Sequence, residues 1–270
     1  MIVFEIRKST SENTLLGYLF YYEKSKRFYS ELLSIYDEWE APFIFWKNVK
    51  EKRFSIDSEQ SLKFVSQRII PPDRQNLGLI LRDNKLKEYD EYKLLKLSEG
   101  RCSQDDLYIK KIEEDEICDE IKERLKKNIK DVVALKNNRV LAFFKDGKAT
   151  IYDVEKYLGK DRFFSRILSY YELFTGVRVT PGGKGIEWSS TTFISSKDLY
   201  DKGKECDLSY DDFLSFSSDR LIDTSTLCEM MGCTRQYVNQ LVKENKLEVA
   251  KAIGNNNLFR KADIESEVPF

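Results

Sequence analysis

Histidine is absent from all 270 residues. That gap removes serine–histidine and cysteine–histidine nucleophilic catalysis, together with the usual imidazole ligands of zinc and haem. Any chemistry would have to run on carboxylates, lysines, tyrosines or an added cofactor, and no pattern in the chain asks for a cofactor. Cysteine is sparse and scattered: Cys102, Cys118, Cys206, Cys228 and Cys233 form no metal-like pairs, as expected of reduced thiols in a cytoplasmic protein. No apolar run approaches the length of a membrane span and the amino terminus lacks a signal-peptide pattern, so neither a membrane nor secretion is expected. Neither charge sign dominates. With 45 basic and 46 acidic residues the net charge is −1, which excludes the broad basic field of a nonspecific nucleic-acid coat. No glycine-rich phosphate loop follows a strand. Pro181-Gly182-Gly183-Lys184-Gly185 lacks the strand–loop–helix context and reads as a flexible connection.

What is present describes an α+β protein: small mixed domains followed by a compact carboxy-terminal module. Hydrophobic residues make up 41% and charged residues 34%, enough apolar material for a sizeable core in two or more domains. Residues 1–112 form one α+β region. Ile2, Phe4 and Ile6 alternate as a strand does, Leu15 to Tyr22 reads as a second strand, and Phe28 to Tyr36 has helical spacing. A helix is expected through Leu77, Ile80 and Leu81, and a further strand over Tyr92 to Leu97. Residues 113–136 are charge-dense with Ile117, Ile121 and Leu125 four apart, the pattern of a helical connector.

Residues 137–204 read as an independent α+β unit. Val140 to Phe144 and Ala149 to Tyr152 flank the turn pair Asp146-Gly147, Asp153 suits a helix cap, and Ser195 or Ser196 another. Trp188 and the phenylalanines are core material.

One catalytic pattern is present in loose form. Asp73, Glu91 and Lys93 match the two-carboxylates-plus-lysine set of Mg²⁺-dependent nucleases, in which the carboxylates hold the metal and the lysine supports attacking water. In a chain one-third charged, the same residues also fit a proline turn and a solvated strand edge.

The segment 221–270 carries the most information. Thr224, Ser225 and Thr226 can cap a helix whose apolar stripe is Leu227, Met230 and Met231. Gly232 follows where a left-handed residue would end it. Thr234 can cap a second helix with Tyr237 or Val238, Leu241 and Val242 inward. Arg235, Gln236, Asn239, Gln240 and Lys243 are then left outward, and these side-chain types read base edges. Leu247, Val249 and Ala250 suit a strand, Gly254-Asn255-Asn256-Asn257 a turn, and Leu258-Phe259-Arg260 a returning strand. Arg260 and Lys261 could grip phosphate. The segment holds six basic and seven acidic residues, a net −1, whereas Thr234 to Lys261 holds six against two, a net +4.

Residues Leu227 to Arg235, Val238, Leu241, Gly254-Asn255-Asn256 and Leu258 to Ile264 resemble the excisionase-like branch of the MerR-type winged-helix family. The resemblance covers about the last fifty residues. It implies a winged helix-turn-helix binding double-stranded DNA, with Thr234, Arg235, Gln236, Tyr237, Asn239, Gln240, Lys243, Asn256, Arg260 and Lys261 at the interface. It further implies a transcriptional regulator or antitoxin-like factor of bacterial or phage type, acting as a homodimer on paired half-sites.

The middle region resembles a small bacterial domain of unknown function often found beside helix-turn-helix and toxin–antitoxin proteins. The matching residues are Phe144 to Lys148, Tyr152-Asp153, Phe174, Gly185 to Trp188, Ile194-Ser195 and Asp198 to Tyr200. Ile69 to Arg74 bears a faint likeness to the amino-terminal subdomain of HipA-type proteins, and no residue role follows from it. The amino-terminal or middle domain could receive a protein partner. The competing expectation is a protein-interaction adaptor without DNA binding.

Overall fold

The computed structural model describes residues 1–9, 13–189, 191–206, 210–254 and 256–265. The chain is α+β and divides into two compact units, Met1–Lys122 and Glu123–Phe270.

The first unit is built on an antiparallel sheet of β1 (Ile2–Lys8), β2 (Thr14–Tyr22), β3 (Arg27–Leu32), β4 (Ser55–Ile56) and β5 (Leu107–Ile112), in the order β4-β3-β2-β1-β5. The alternation of Phe4 and Ile6 sends both to one face, where register places Leu19 opposite Phe4 and Phe28 opposite Tyr21. Helices α1 (Trp46–Lys50), α2 (Ser58–Ser66), α3 (Leu77–Asp83) and α4 (Glu91–Ser98) follow in chain order; Phe64 and Val65 of α2 and Leu95 of α4 complete that core. Two expectations fail here. Phe28 to Leu32 is a strand because pairing with β2 sets Phe28 against Tyr21, ring centroids 4.6 Å apart, and this outweighs its helical spacing. Tyr92 to Leu97 lies in α4 because Asp90 Oδ1 accepts the Lys93 amide at 2.9 Å and starts a helix.

The stretch 113–136 is only partly helical. Helix α5 (Asp119–Lys126) is short, and the chain then enters strand β6 (Ile129–Leu135), whose Val132, Val133 and Leu135 are buried. The β-branched Ile129, Val132 and Val133 favour the strand and explain the change.

In the second unit β6 is followed by β7 (Arg139–Phe144), β8 (Ala149–Asp153), α6 (Val154–Leu158), α7 (Ser165–Ser169), α8 (Tyr171–Phe174), β9 (Arg178–Val179), β10 (Gly185–Ser189), β11 (Thr192–Ser195), α9 (Ser196–Lys202), β12 (Lys204–Glu205) and α10 (Tyr210–Arg220). One antiparallel sheet runs β12-β8-β7-β6 and a second β11-β10-β9. Val132, Val140 and Ala142 pack with Phe174, Ile186 and Leu199 on one face of the larger sheet, while Phe216 of α10 meets Phe143 on the other at 5.6 Å. Trp188 is half-buried and its Nε1 donates to the Phe174 carbonyl at 2.7 Å. Asp153 and Ser195 cap α6 and α9.

Pro181 to Gly183 is a buried 3-10 turn, contrary to the flexible connection its composition suggests. Gly183 has φ +74°, and an added Cβ would lie 2.1 Å from the Ile129 carbonyl oxygen. The glycine is needed for close approach to β6.

The chain then continues as β13 (Leu221–Asp223), α11 (Thr224–Met231), α12 (Arg235–Lys243), β14 (Lys251–Ile253), β15 (Asn256–Arg260) and α13 (Ala262–Glu265), with a small sheet in the order β13-β15-β14. This segment is not separate from the sheet before it. Arg220, 1% exposed, bonds Asp131 of β6 at 2.8 Å and Glu265 of α13 at 2.7 Å. The larger sheet of the middle region extends beyond residues 137–204, since β6 precedes them and β12 ends one residue after them.

Candidate nucleic-acid interface

The two helices after β13 begin with a cap one residue earlier than Thr224. Asp223 Oδ1 accepts the Thr226 amide at 2.8 Å, and this hydrogen bond holds the Asp223 carboxyl below its ordinary value. Aspartate wins over the three hydroxyl residues that follow because its residue keeps extended backbone, φ −82° and ψ 170°, as an N-cap must. Helix α11 buries Leu227 and half-buries Met230 and Met231.

Gly232 then adopts φ 60° and ψ 34°, and the Cys233 amide reaches back to the Cys228 carbonyl at 3.0 Å. That backward bond satisfies a carbonyl the helix end leaves open and turns the chain sharply. Two residues later Thr234 Oγ1 accepts the Tyr237 amide at 3.3 Å and opens α12.

Helix α12 is strongly two-sided. Val238 is its one fully buried residue; Leu241 and Val242 are half-buried against the core of Ile222, Leu227, Leu247, Phe259 and Ile264. Of the two inward candidates Val238 is the one packed, and Tyr237 is 48% exposed. Thr234, Arg235, Gln236, Asn239, Gln240 and Lys243 are all exposed. Their spacing places Arg235, Asn239 and Lys243 four apart along one side, with Gln236 and Gln240 beside them.

Arg235 Nη2 donates to Ser225 Oγ at 2.6 Å, which braces the guanidinium against α11 without cancelling its charge. Gln240 Nε2 donates to Glu244 Oε1 at 2.7 Å. Gln236, Asn239 and Lys243 have no side-chain partner among the described residues.

The hairpin departs from expectation in detail. Leu247 serves the core, Val249 and Ala250 precede the strand, and pairing starts at Lys251 opposite Leu258. Gly254 has φ +58°, as a tight turn requires. Asn255 lies outside the described residues, and Asn256 is exposed.

Arg260 and Lys261 are both paired with carboxylates. Arg260 is bound by Glu248 at 2.6 Å and Asp263 at 2.9 Å, and Lys261 Nζ lies 3.6 Å from Asp219 and 3.7 Å from Glu265. Each carboxylate satisfies a cation that a phosphate would otherwise take. Glu244, by contrast, answers Lys246 at 2.7 Å and leaves Lys243 alone.

The carboxylate set expected from the sequence lies in the first unit. Asp73 is exposed in the proline turn, Glu91 opens α4, and Lys93 Nζ lies 3.6 Å from Asp90. Among the described residues no group of three or more His, Cys, Asp or Glu side chains is gathered to hold a metal ion, and no helix is long and apolar enough to cross a membrane.

Arg220, which fixes this region against β6, carried no signal in the sequence. Its partner Asp131 is 89 positions away, and nothing local marks either as buried.

Comparisons of the chain with family models, with curated proteins and with solved structures found no match.

Proposed function

We propose that residues 221–265 act as a winged helix-turn-helix that binds duplex DNA in a sequence-dependent manner, with α12 entering the major groove. The observation that carries this reading is the outer face of α12, where Arg235, Gln236, Asn239, Gln240 and Lys243 stand exposed together. Arginine pairs with guanine, and asparagine and glutamine pair with adenine, through bidentate hydrogen bonds in that groove. Three of the five have no protein partner among the described residues, so presenting them to bases breaks no internal bond. The glycine turn and the threonine cap hold the helix at its base-reading end. In this reading β14 and β15 form the wing, with Asn256 at its tip, and the chain serves as a transcriptional regulator or antitoxin-like factor. A homodimer on paired half-sites would add the contacts one small helix lacks.

The electrostatic contribution is small. Arg235, Lys243 and Lys251 are the exposed cations of the module without a carboxylate partner among the described residues. The salt dependence of affinity should then have a slope of about −3 for one chain and about −5 for a dimer. The adaptor reading draws on the same fact, because Arg260 and Lys261 are committed to carboxylates.

Selection of bound sequences from randomised duplexes with the full chain, followed by fluorescence anisotropy on the enriched sequence, separates the two. A site preference that vanishes in the Arg235→Ala, Gln236→Ala double variant supports the assignment. No enrichment, or equal preference in wild type and variant, ends it.

A further inference from the structure

The first unit contains a cleft of about 390 Å³ with an unusual charge pattern. Three of its lining residues are arginines, Arg68, Arg74 and Arg101, and none is a carboxylate. In a chain with slightly more acidic than basic residues, such a gathering is not the average surface. Each arginine comes from a different element. Arg68 follows α2, Arg74 sits in the proline turn before α3, and Arg101 follows the left-handed Glu99-Gly100 stop of α4. The Tyr89 hydroxyl donates to the Ile70 carbonyl at 2.8 Å and ties down the turn between the first two.

Arg68 is only 3% exposed. Its Nη1 donates to the Phe64 carbonyl at 3.1 Å, its Nη2 meets Asp105, and its guanidinium lies 3.7 Å from the Phe64 ring centroid. The Nε donor has no partner among the described residues. A buried guanidinium held rigid on three sides, with one donor unused, is pre-organised and not a mobile surface charge. Arg74 and Arg101 are exposed; Arg74 Nε donates to Asn76 at 3.1 Å, and Arg101 stacks on Tyr108 at 4.8 Å with Glu99 3.7 Å away. The cleft also offers the Ser103 hydroxyl beside apolar lining from Ile70, Leu94 and Leu97, while the Ser98 hydroxyl is committed to the Leu95 carbonyl at 3.1 Å.

We infer that this cleft binds a small phosphate-bearing molecule. Guanidinium groups match phosphate oxygens in pairs, and the lining gathers three of them with no carboxylate of its own. The volume and the apolar lining suit a compact ligand with a non-polar body. A duplex backbone would be met by protruding cations, not by a concavity. The inference stands apart from the DNA-binding reading, since it concerns the other unit.

The test is calorimetric titration of the full chain with inorganic pyrophosphate and with adenosine diphosphate, at low and high sodium chloride, with a short duplex as a third titrant. Binding of pyrophosphate or the nucleotide is expected, weakened by salt and reduced roughly tenfold by Arg74→Ala or by Arg101→Ala. Both side chains are exposed, so these variants should keep the wild-type melting temperature. Ser103→Glu, which leaves every arginine in place, should abolish binding through added negative charge. No heat from either small titrant overturns the inference. So does unchanged affinity in Arg74→Ala, Arg101→Ala and Ser103→Glu, or heat from the duplex alone.

Discussion

Arg220 Nη2 donates to Oδ1 of Asp131 at 2.8 Å, joining the helix before the last fifty residues to the first strand of the sheet they rest on. Burial works against the arginine's charge, yet the carboxylates of Asp131 and Glu265 hold its pKa above the ordinary range. Burial pushes the Asp131 carboxyl up, with Arg220 pulling against it. Arg220→Met would strand Asp131 and leave Glu265 with Lys261 alone, and should cost about 3–5 kcal/mol in urea denaturation. Adding Asp131→Leu removes the stranded charge and should recover part of that loss. Equal stability of wild type and Arg220→Met would show that the pair contributes nothing.

Gly232 offers a cleaner backbone test. Nothing lies within 4 Å of a Cβ added there, so only its φ of +60° resists substitution. Gly232→Ala should lower stability by about 1–2 kcal/mol, and Gly232→Asn by less, because asparagine tolerates the left-handed region. Thermal denaturation of the three proteins reads the order directly; alanine matching glycine would contradict it.

Alkaline behaviour follows from the tyrosines. Burial pushes Tyr18, Tyr21 and Tyr152 up to about 12 from the ordinary 10.0. The folded chain therefore holds protons that the unfolded chain releases. This stabilising contribution is complete below pH 10.0, declines above it and is lost as pH rises through about 12. Melting temperature should fall across that window, less steeply in Tyr21→Phe and Tyr152→Phe. Full tyrosinate absorbance near pH 10.0 in a still-folded protein would refute the shifts.

Arg260 supplies a gain-of-function test of the DNA-binding proposal. Glu248→Gln with Asp263→Asn releases it from both carboxylates. Duplex affinity at low salt should rise several-fold, and the salt slope should steepen by about 1 as one more phosphate is neutralised. Unaltered affinity would place Arg260 away from the duplex.

The parts legible in the sequence are those whose cause is local. Gly232 and Thr234 punctuate two helices within three residues, and Asp146-Gly147 makes a hairpin from adjacent positions. Phe28 to Leu32 is not legible because its strand state comes from β2, and Asp223 stands beside three more conspicuous hydroxyl residues. In the site, the outward positions of α12 follow from 3.6-residue periodicity alone. The occupation of Arg260 and Lys261 does not, since Glu248 and Asp219 reach them only in three dimensions.

The Arg220 main chain also takes part, its carbonyl accepting the Lys261 amide at 2.9 Å. A fragment beginning at Leu221 would discard that acceptor and the guanidinium together, leaving Glu265 with Lys261 as its remaining cation. Biochemists wishing to isolate the carboxy-terminal body should keep β6 and Arg220 within it.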